Sequence, residues 1–307
     1  MAGNRPQIVV IAGPTAAGKT SVGIELAQKF SGEIVSADSV QIYRHMDIGS
    51  AKPTPEQRSL VAHHMIDIRD PNDEFSAGDY VKEARTAIRG ILQEGRVPIV
   101  VGGTGLYIRS LLGGIADLPL AQPVFRRRMV EAEKAAKGTL FDRLIQVDPA
   151  TARRTPPDNI PRIIRALEVF EVTGKRMSLV QEEHSFQDRP YSHIFICLSL
   201  NRQLLYERID KRVDSMIRGG LLEEVVYLYE RGYSPNLNAM QSLGYRHAGM
   251  ILSGKVEAQE AIRLMKRDTR HYAKRQLTWF RSEPGVLWFD PAETAGIGSM
   301  VANFLDH

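Results

Sequence analysis

Near its start, this 307-residue chain contains the segment Gly13-Pro-Thr-Ala-Ala-Gly-Lys-Thr20. The segment fits the pattern Gly-x-x-x-x-Gly-Lys-Ser/Thr, in which the terminal glycines let the backbone wrap a diphosphate with successive N–H groups pointing inward. Lys19 supplies a positive charge, the Thr20 hydroxyl is a typical Mg²⁺ ligand, and the helix that opens near Gly18 adds its positive end. The sequence therefore predicts a P-loop with Mg²⁺ as cofactor, in which a diphosphate is bound by Gly13, Pro14, Thr15, Ala16, Ala17, Gly18, Lys19 and Thr20.

Short apolar runs alternate with helical patterns along most of the chain. The run before the P-loop is β-branched and ends in glycine, as buried strands do, and helical spacing follows through Val22, Leu26 and Ala27. Strands that alternate with helices indicate an α/β fold, here a P-loop NTPase-like parallel sheet with helices on both faces. The predicted strands are residues 8–12, 33–37, 63–68, 97–101, 194–200 and 286–289, and residues 77–94 are a predicted helix.

The pattern changes after Leu118. The proline-rich segment Leu118-Pro-Leu-Ala-Gln-Pro123 is followed by helical sequence, without a clear strand, up to about Pro190. We therefore predict an all-helical insertion domain at residues 119–190 within a catalytic core formed by residues 1–118 and 191–307.

The composition is that of a globular protein, with 43% hydrophobic and 25% charged residues and a formal net charge of +4. This mild basic excess is compatible with a nucleic-acid partner without requiring one. The single cysteine, Cys197, lies in an apolar run and is predicted to be a small core side chain in a reducing cytosol. The chain lacks both the apolar stretch of a signal peptide and the roughly 20 apolar residues of a membrane helix. We expect a cytoplasmic monomer with no membrane partner.

Two of the predicted strands lead into segments of different character. A P-loop ATPase normally has a second apolar strand that ends in an Mg²⁺-holding aspartate. The strand at 97–101 is followed instead by Gly102-Gly-Thr-Gly-Leu-Tyr107, which contains no acid. The strand at 33–37 is followed by Asp38 and then by Ser39-Val-Gln-Ile-Tyr43, a polar string more typical of a substrate-binding edge. The pattern favours a loop that holds a departing diphosphate over one that holds a phosphate-donating triphosphate.

Further segments accompany the P-loop in a fixed order. They are Ser36-Ala-Asp-Ser-Val-Gln-Ile-Tyr43, Met46-Asp-Ile-Gly-Ser-Ala-Lys-Pro53, His63-His-Met-Ile-Asp-Ile68, Phe75-Ser-Ala-Gly-Asp-Tyr80, Gly102 to Tyr107, Arg165-Ala-Leu-Glu-Val169, Leu243-Gly-Tyr245 and Tyr272-Ala-Lys-Arg-Gln-Leu-Thr-Trp-Phe-Arg281. With the P-loop, these blocks resemble the bacterial tRNA dimethylallyltransferase (tRNA isopentenyltransferase) family over nearly the whole chain. A lone P-loop is weak evidence, whereas nine ordered blocks are specific.

The resemblance implies transfer of the dimethylallyl group from dimethylallyl diphosphate to N6 of adenine 37, beside the anticodon, in tRNAs that read codons beginning with U. It also implies Mg²⁺ as cofactor and the anticodon stem-loop of tRNA as partner. Ala17 and Ser50 stand where the family commonly has serine and threonine. Pro161 stands where the family often has a polar side chain, which puts a side-chain contact by Pro161 in doubt.

The chemistry of this transfer assigns roles to several residues. The adenine amine is a poor nucleophile and needs a base for its proton. Asp38, at the C-terminal end of a parallel strand, suits that role, with a turn aspartate as the alternative. Lys19 and, by resemblance, Arg212 stabilise the leaving diphosphate, and the Thr104 hydroxyl is placed to reach the reacting groups, with a helix N-cap as its alternative. The resemblance implies tRNA contacts by Asp38, Ser39, Val40, Gln41, Thr104, Arg126, Pro161, Arg162, Ile163, Ile164 and Arg165.

Two other functions stay open at this point. One is an adenylate isopentenyltransferase, which would use the same donor on a free nucleotide. The helical insertion and the basic clusters at 126–128 and 263–275 argue against it, because a small acceptor needs neither, although each cluster has a solvated helix face as its alternative. The other is a small-molecule kinase or NTP-hydrolysing binding module, against which the acid-free block at 102–107 argues.

Overall fold

The computed structural model describes residues 5–116, 118–184 and 188–306. The chain divides into two compact units, of which the first comprises Met1–Leu112 and Arg189–His307 and the second comprises Gly113–Asp188. The second unit overlaps the helical insertion that the sequence placed at residues 119–190.

A parallel sheet organises the first unit. Its strands are β1 (Gln7–Ala12), β2 (Gly32–Ala37), β3 (His63–His64), β4 (Val97–Gly102), β5 (Ser192–Leu198) and β6 (Leu287–Phe289). They form one sheet in the order β3-β2-β4-β1-β5-β6, and every neighbouring pair is parallel. The predicted α/β fold is confirmed.

Within the described residues, one helix follows each of the first three strands, and runs of several helices follow β4 and β5. The helices are α1 (Lys19–Lys29), α2 (Pro55–Leu60), α3 (Ala77–Gln93), α4 (Gly105–Gly113), α5 (Pro123–Ala135), α6 (Thr139–Val147), α7 (Pro149–Arg153), α8 (Ile160–Thr173), α9 (Met177–His184), α10 (Arg202–Arg218), α11 (Leu221–Glu230), α12 (Tyr245–Leu252), α13 (Ala258–Arg281) and α14 (Thr294–Leu305). Within residues 5–116, 118–184 and 188–306, none of them is long and apolar enough to cross a membrane.

Helices cover both faces of the sheet. On one face, Val10 of β1 packs in a core with Ala84 of α3. On the other face, Val9 packs in a core with Val22 of α1 and Ile297 of α14. Successive β1 residues thus enter opposite cores, as the alternation of side chains along a strand requires.

The C-terminal ends of three neighbouring strands are aligned. Ala12 of β1 pairs with Gly102 of β4, and Gly102 pairs with Ala37 of β2. Gly102 permits this close approach because a Cβ at that position would lie 2.1 Å from the Ala37 carbonyl oxygen. The P-loop and the loops that follow β4 and β2 therefore leave the sheet side by side, at the edge where parallel α/β sheets bind ligands.

Cys197 of β5 is a core side chain, as its apolar surroundings in the sequence predicted. It is completely buried and packs against the same core as Val10. Burial raises the pKa of its thiol to about 12, and the nearby charge of Lys19 only partly offsets this. The thiol therefore remains protonated and unreactive near neutral pH.

The third strand is shorter than predicted. We expected a strand over residues 63–68, but β3 ends at His64. Met65 and Asp67 adopt left-handed backbone conformations, with φ of 64° and 56°, which a strand cannot accommodate. The Asp67 carboxylate accepts hydrogen bonds from Lys52 at 2.6 Å and Arg58 at 2.8 Å, so a charged contact overrides the apolar pattern here.

The second unit is a small helical domain with a core of its own. α5, α6, α7, α8 and α9 together bury Phe125, Leu140, Leu144, Ile163 and Leu167 in one cluster.

A buried carboxylate lies in the middle of this domain. Glu168 of α8 is 0% exposed, and it accepts hydrogen bonds from the Gln122 backbone amide at 2.7 Å and from two nitrogens of Arg126 at 2.8 and 2.9 Å. Arg165 forms a further ion pair with it. Burial alone would favour the neutral acid, but these donors outweigh it and hold the pKa of Glu168 at about 2.

We expect Glu168→Gln to destabilise the helical domain by about 3 kcal/mol, because the guanidinium groups of Arg126 and Arg165 then lack their counter-charge. The pKa of Glu168 lies below its ordinary value of 4.5, so its stabilising effect is complete above that pH and is lost as the pH falls toward 2. Urea denaturation of the full chain between pH 7 and pH 3 measures both effects. Glu171→Gln is the matched control, because Glu171 is half-exposed on the same helix and pairs with Arg128 and Arg143. Equal stability of the two variants would contradict this account.

Candidate active site

The P-loop wraps tightly against the neighbouring strand β5. Gly13 has a φ of 144°, and a Cβ there would lie 2.6 Å from the Leu198 carbonyl oxygen, so only glycine fits. Gly18, at the N-cap of α1, has a φ of 93°. The Lys19 ammonium donates a hydrogen bond to the Pro14 carbonyl at 2.8 Å, so the lysine lies over the loop it belongs to. Gly13 and Gly18, which lie in the predicted diphosphate cradle, thus both adopt backbone conformations that favour glycine.

The side chain of Gln276, near the C-terminal end of the chain, connects the P-loop to the glycine that follows β4. Gln276 of α13 accepts a hydrogen bond from the Thr15 backbone amide at 2.9 Å and donates one to the Gly103 carbonyl at 2.9 Å. A Cβ on Gly103 would lie 2.2 Å from the Gln276 amide nitrogen. Sequence reasoning gave Gln276 no role, although it lies within the Tyr272 to Arg281 block.

Asp38 follows β2 directly and is fixed by its own turn. Its Oδ1 accepts hydrogen bonds from the backbone amides of Val40 at 2.9 Å and Gln41 at 3.3 Å. Within the described residues, no group donates to Oδ2. Asp38 therefore does stabilise a turn, which was the alternative to a catalytic role. This turn uses only Oδ1 and leaves Oδ2 available to a substrate.

Thr104 joins the ends of β2 and β4. Its backbone amide donates to the Ala37 carbonyl at 3.0 Å, and its hydroxyl accepts from the Ser39 amide at 3.1 Å. Thr104 directly precedes α4 and accepts the Tyr107 amide through its carbonyl, but the hydroxyl bonds to Ser39 and not to its own helix. Thr104 therefore lies at the N-cap position of α4, but its hydroxyl does not cap the helix.

Three charges share this edge of the sheet. Burial, and next the positive charge of Arg212 from α10, lower the pKa of Lys19 to about 8, while Asp38 acts in the opposite direction. Burial also lowers the pKa of Arg212, and Asp38 again opposes the shift. Two cations face one carboxylate in a desolvated place, so the site favours an anionic ligand.

Tyr272 of α13 is a further polar group at this site. Burial and then the charge of Asp38 raise the pKa of its hydroxyl, and a hydrogen bond with the Thr104 side chain partly offsets the shift. The hydroxyl therefore stays protonated. The sequence pointed to its block but not to this residue.

A small cavity of about 50 Å³ lies beside Lys19 and Asp38. A space of this size holds a few water molecules and not a nucleobase. Mg²⁺ prefers oxygen ligands, keeps several waters and commonly reaches its site with substrate phosphates. Within residues 5–116, 118–184 and 188–306, no group of three His, Cys, Asp or Glu side chains could hold a metal, so the set fits Mg²⁺ only together with a diphosphate. The polar side chains that line the cavity are Lys19, Thr20, Ser36, Asp38, Gln41 and His63.

The segment after Asp38 supplies the other predicted acceptor contacts. The Gln41 side chain accepts from the Ser36 hydroxyl at 3.0 Å and donates to the Ala51 carbonyl at 3.3 Å. Val40 is half-buried and packs against the core around α11. The structure thus brings Ser39, Val40 and Gln41 together with Asp38 and Thr104.

The tRNA contacts predicted for the helical domain divide into two groups. Pro161 and Arg162 are exposed in the first turn of α8, and no described residue forms an ion pair with Arg162. Ile163 and Ile164 are core residues at 0% and 5% exposure, so a contact of these two residues with tRNA falls to their backbone and not to their side chains. Arg126 and Arg165 are both bound to Glu168, so the structure gives them a role inside the domain.

We expect Gln276→Leu to weaken binding of pyrophosphate with Mg²⁺ about tenfold. The variant leaves the Thr15 amide and the Gly103 carbonyl without their hydrogen-bond partner, so the P-loop backbone is no longer held in place. Isothermal titration calorimetry with pyrophosphate measures this. Thr278→Ala on the same helix is the control, since the Thr278 hydroxyl bonds only to the Lys274 carbonyl of its own helix. If Gln276→Leu bound pyrophosphate as tightly as the control, Gln276 would not be needed to hold the P-loop in place.

Comparison with known proteins points to one family. The IPP transferase family model matches residues 41–283. The chain is 47% identical to tRNA dimethylallyltransferase 1 of Syntrophotalea carbinolica, over 98% of this chain and 96% of that protein. Its fold is similar to the full-length tRNA isopentenylpyrophosphate transferase of Bacillus halodurans, with a TM-score of 0.74, 38% identity and coverage of 99% and 97% of the two chains. It is also similar to a eukaryotic dimethylallyltransferase acting on tRNA, with a TM-score of 0.78, 27% identity and coverage of 97% and 80%. The chain belongs to the IPP transferase family.

Proposed function

We propose that this protein transfers the dimethylallyl group from dimethylallyl diphosphate to N6 of adenine 37, beside the anticodon, in tRNAs that read codons beginning with U. One observation carries the proposal: the P-loop follows β1 and Asp38, with one free carboxylate oxygen, follows β2, and because these strands flank β4 both segments leave the same edge of the sheet. The names of the relatives, and a similar structure described as acting on tRNA, support it. We place the reaction in the cytoplasm, where its tRNA substrate is found, and propose that the protein acts as a monomer.

The donor binds through its diphosphate in this proposal. The P-loop amides, Lys19 and Arg212 surround the phosphate oxygens and stabilise the charge that grows on the leaving group as the allylic C–O bond breaks. Thr20 would hold Mg²⁺ together with the diphosphate, and the ion would supply further positive charge when bound. Binding of the anion also satisfies the two desolvated cations at this edge.

The acceptor enters from the side of Asp38. Its Oδ2 accepts the N6–H of adenine, the N6 lone pair forms the new bond to the allylic carbon, and the C–O electron pair departs with diphosphate. Asp38 ends the step protonated. The hydroxyls of Thr104 and Tyr272 lie beside it as hydrogen-bond partners for the amine or the bridging oxygen. The target base must leave its stack to reach this site.

Specific features of the structure argue against each of the two rival functions. A phosphate-donating kinase needs an acid after β4, but Gly102 and Gly103 occupy that place and the Gly103 carbonyl is bonded to Gln276. An enzyme for free nucleotides would have no need of a separate helical domain. Three assays distinguish these functions. The protein is incubated with labelled dimethylallyl diphosphate and tRNA, with the same donor and AMP, and with ATP and small acceptors. Label transfer to AMP, or phosphoryl transfer from ATP, would refute the proposal.

We expect Asp38→Asn to reduce single-turnover transfer at least 100-fold while dimethylallyl diphosphate binding changes less than twofold, because a base acts only during transfer. Asparagine keeps the side-chain oxygen that accepts the Val40 and Gln41 amides, so the turn is retained. Rapid-quench transfer and calorimetric donor binding measure the two quantities separately. An unchanged transfer rate would remove Asp38 from the mechanism.

We expect Arg162→Ala to lower the slope of log tRNA affinity against log salt by about one unit, because one phosphate contact is lost. Arg165→Ala should instead lower the melting temperature, because Arg165 is bound to Glu168. Filter binding at several salt concentrations and thermal melts report the two effects. Lys137→Ala is the control for an exposed cation of the same domain. Equal salt slopes for the Arg162 and Lys137 variants would contradict a tRNA contact at Arg162.

A further inference from the structure

Residues 38–52, here called the acceptor segment, carry Asp38, Ser39 and Gln41. Within this fully described segment the backbone forms no helix or strand beyond a single bridge from Tyr43 to Arg69. His45 and Ala51 have left-handed backbones, with φ of 65° and 47°. Each such non-glycine residue costs about 1 kcal/mol or more, so contacts outside the segment must hold it in place.

The first of these contacts is Glu224, in the first turn of α11. Its carboxylate accepts hydrogen bonds from three consecutive backbone amides, those of Asp47 at 3.0 Å, Ile48 at 2.8 Å and Gly49 at 3.1 Å. The hydroxyl of the fully buried Tyr245 donates a fourth hydrogen bond at 2.6 Å. Four donors thus converge on one carboxylate, which locks the backbone at the turn.

Tyr245 also explains the glycine at the centre of this turn. A Cβ on Gly49 would lie 2.5 Å from the Tyr245 ring, so only glycine fits at this position. Burial, and then the charge of Glu224, raise the pKa of the Tyr245 hydroxyl well above its ordinary value. The hydroxyl therefore remains a donor to Glu224 near neutral pH.

The second contact is Lys52, at the end of the acceptor segment. Its side chain is only 3% exposed, and its ammonium donates to the Tyr43 carbonyl at 2.9 Å and to the Asp67 carboxylate at 2.6 Å. It also forms an ion pair with Asp47. A buried ammonium is stabilising only when all its donors are used, and these three acceptors use them. Burial opposes ionisation of Asp67, but Lys52 and Arg58 outweigh it and lower the pKa of that carboxyl.

Gln41 connects these contacts to the site. Its amide nitrogen donates to the carbonyls of Ala51 at 3.3 Å and Ser50 at 3.5 Å. Those carbonyls lie between Gly49, which Glu224 holds, and Lys52. The orientation of the Gln41 amide therefore depends on Glu224 and Lys52, although neither lines the cavity that Gln41 and Asp38 share.

We propose that Glu224 and Lys52 are positioning residues for the acceptor: they fix the far end of the acceptor segment, which in turn orients Gln41 and Asp38 toward the target adenine. The inference rests on the proposed function, in which these two residues face the acceptor. Within the described residues, no hydrogen bond or ion pair joins Glu224 or Lys52 to the P-loop. Loss of either therefore impairs the use of tRNA and leaves the donor side as it was.

The test compares Glu224→Gln and Lys52→Met with Glu223→Gln. Glutamine keeps the shape of Glu224 but directs an NH₂ group at backbone N–H groups, so at least one hydrogen bond is lost. Glu223 is an exposed acid in the same helical turn, which makes its variant a matched control. We expect kcat/KM for tRNA to fall at least tenfold in both test variants. The KM for dimethylallyl diphosphate should stay within twofold of the wild type, and the control should behave as the wild type.

Amide hydrogen exchange supplies a readout that does not depend on activity. Residues 47–49 should exchange faster in Glu224→Gln, while residues 13–20 are unchanged. A parallel loss of both substrate parameters with a lowered melting temperature would overturn the inference, since that is the result of a general loss of stability. Wild-type kinetics for tRNA in both variants would also overturn it.

A milder variant covers the case in which Glu224→Gln does not fold. Tyr245→Phe removes one of the four hydrogen bonds to Glu224, and we expect a smaller loss of kcat/KM for tRNA with the donor KM unchanged. Wild-type tRNA kinetics in a folded Tyr245→Phe would then count against the inference. A wild-type protein that fails to modify tRNA would refute the proposed function itself, whereas an active wild type with unaffected variants would refute this inference alone.

Discussion

The alignment of Ala12, Gly102 and Ala37 across three parallel strands is the constraint on which the rest of the site depends. Because the strands end level, the diphosphate loop, the glycine-rich turn and Asp38 emerge next to one another. A slip of one residue in any pair would turn that strand's side chains to the opposite face and carry its loop away from the others. Gly102 also admits no side chain in this register, because a Cβ there would lie 2.1 Å from the Ala37 carbonyl oxygen.

The three loops do not hold one another in place by themselves. Side chains from the second half of the chain bond to them. Arg212 comes from α10, Tyr272 and Gln276 come from α13, and Glu224 comes from α11. Gln276 joins Thr15 to Gly103, while Glu224 bonds to the backbone of residues 47–49. The P-loop and the acceptor segment therefore have separate supports.

Much of this arrangement could be predicted from sequence where the signal is local. The P-loop has a fixed spacing, and buried parallel strands have continuous apolar runs, so the sheet and the position of the loop after β1 were predictable. β3 was predicted too long because the apolar residues after His64 gave no sign that Asp67 pairs with Lys52. Gln276 and Glu224 act mainly on backbone groups more than a hundred residues away, which leave no mark in the sequence. Arg126 and Arg165 were predicted as surface cations, since a pattern of residues cannot show that Glu168 is buried.

The state of Cys197 has a practical consequence for spectroscopy. Thiol reagents attack the thiolate, and a thiol with a pKa of about 12 offers almost none of it near neutral pH. Its burial in β5 excludes the reagent as well. The natural chain can therefore serve directly as a background for site-specific labelling. A cysteine introduced at an exposed position of α8 would carry the only reactive thiol, so a dye could be attached to the helical domain without prior removal of the native residue.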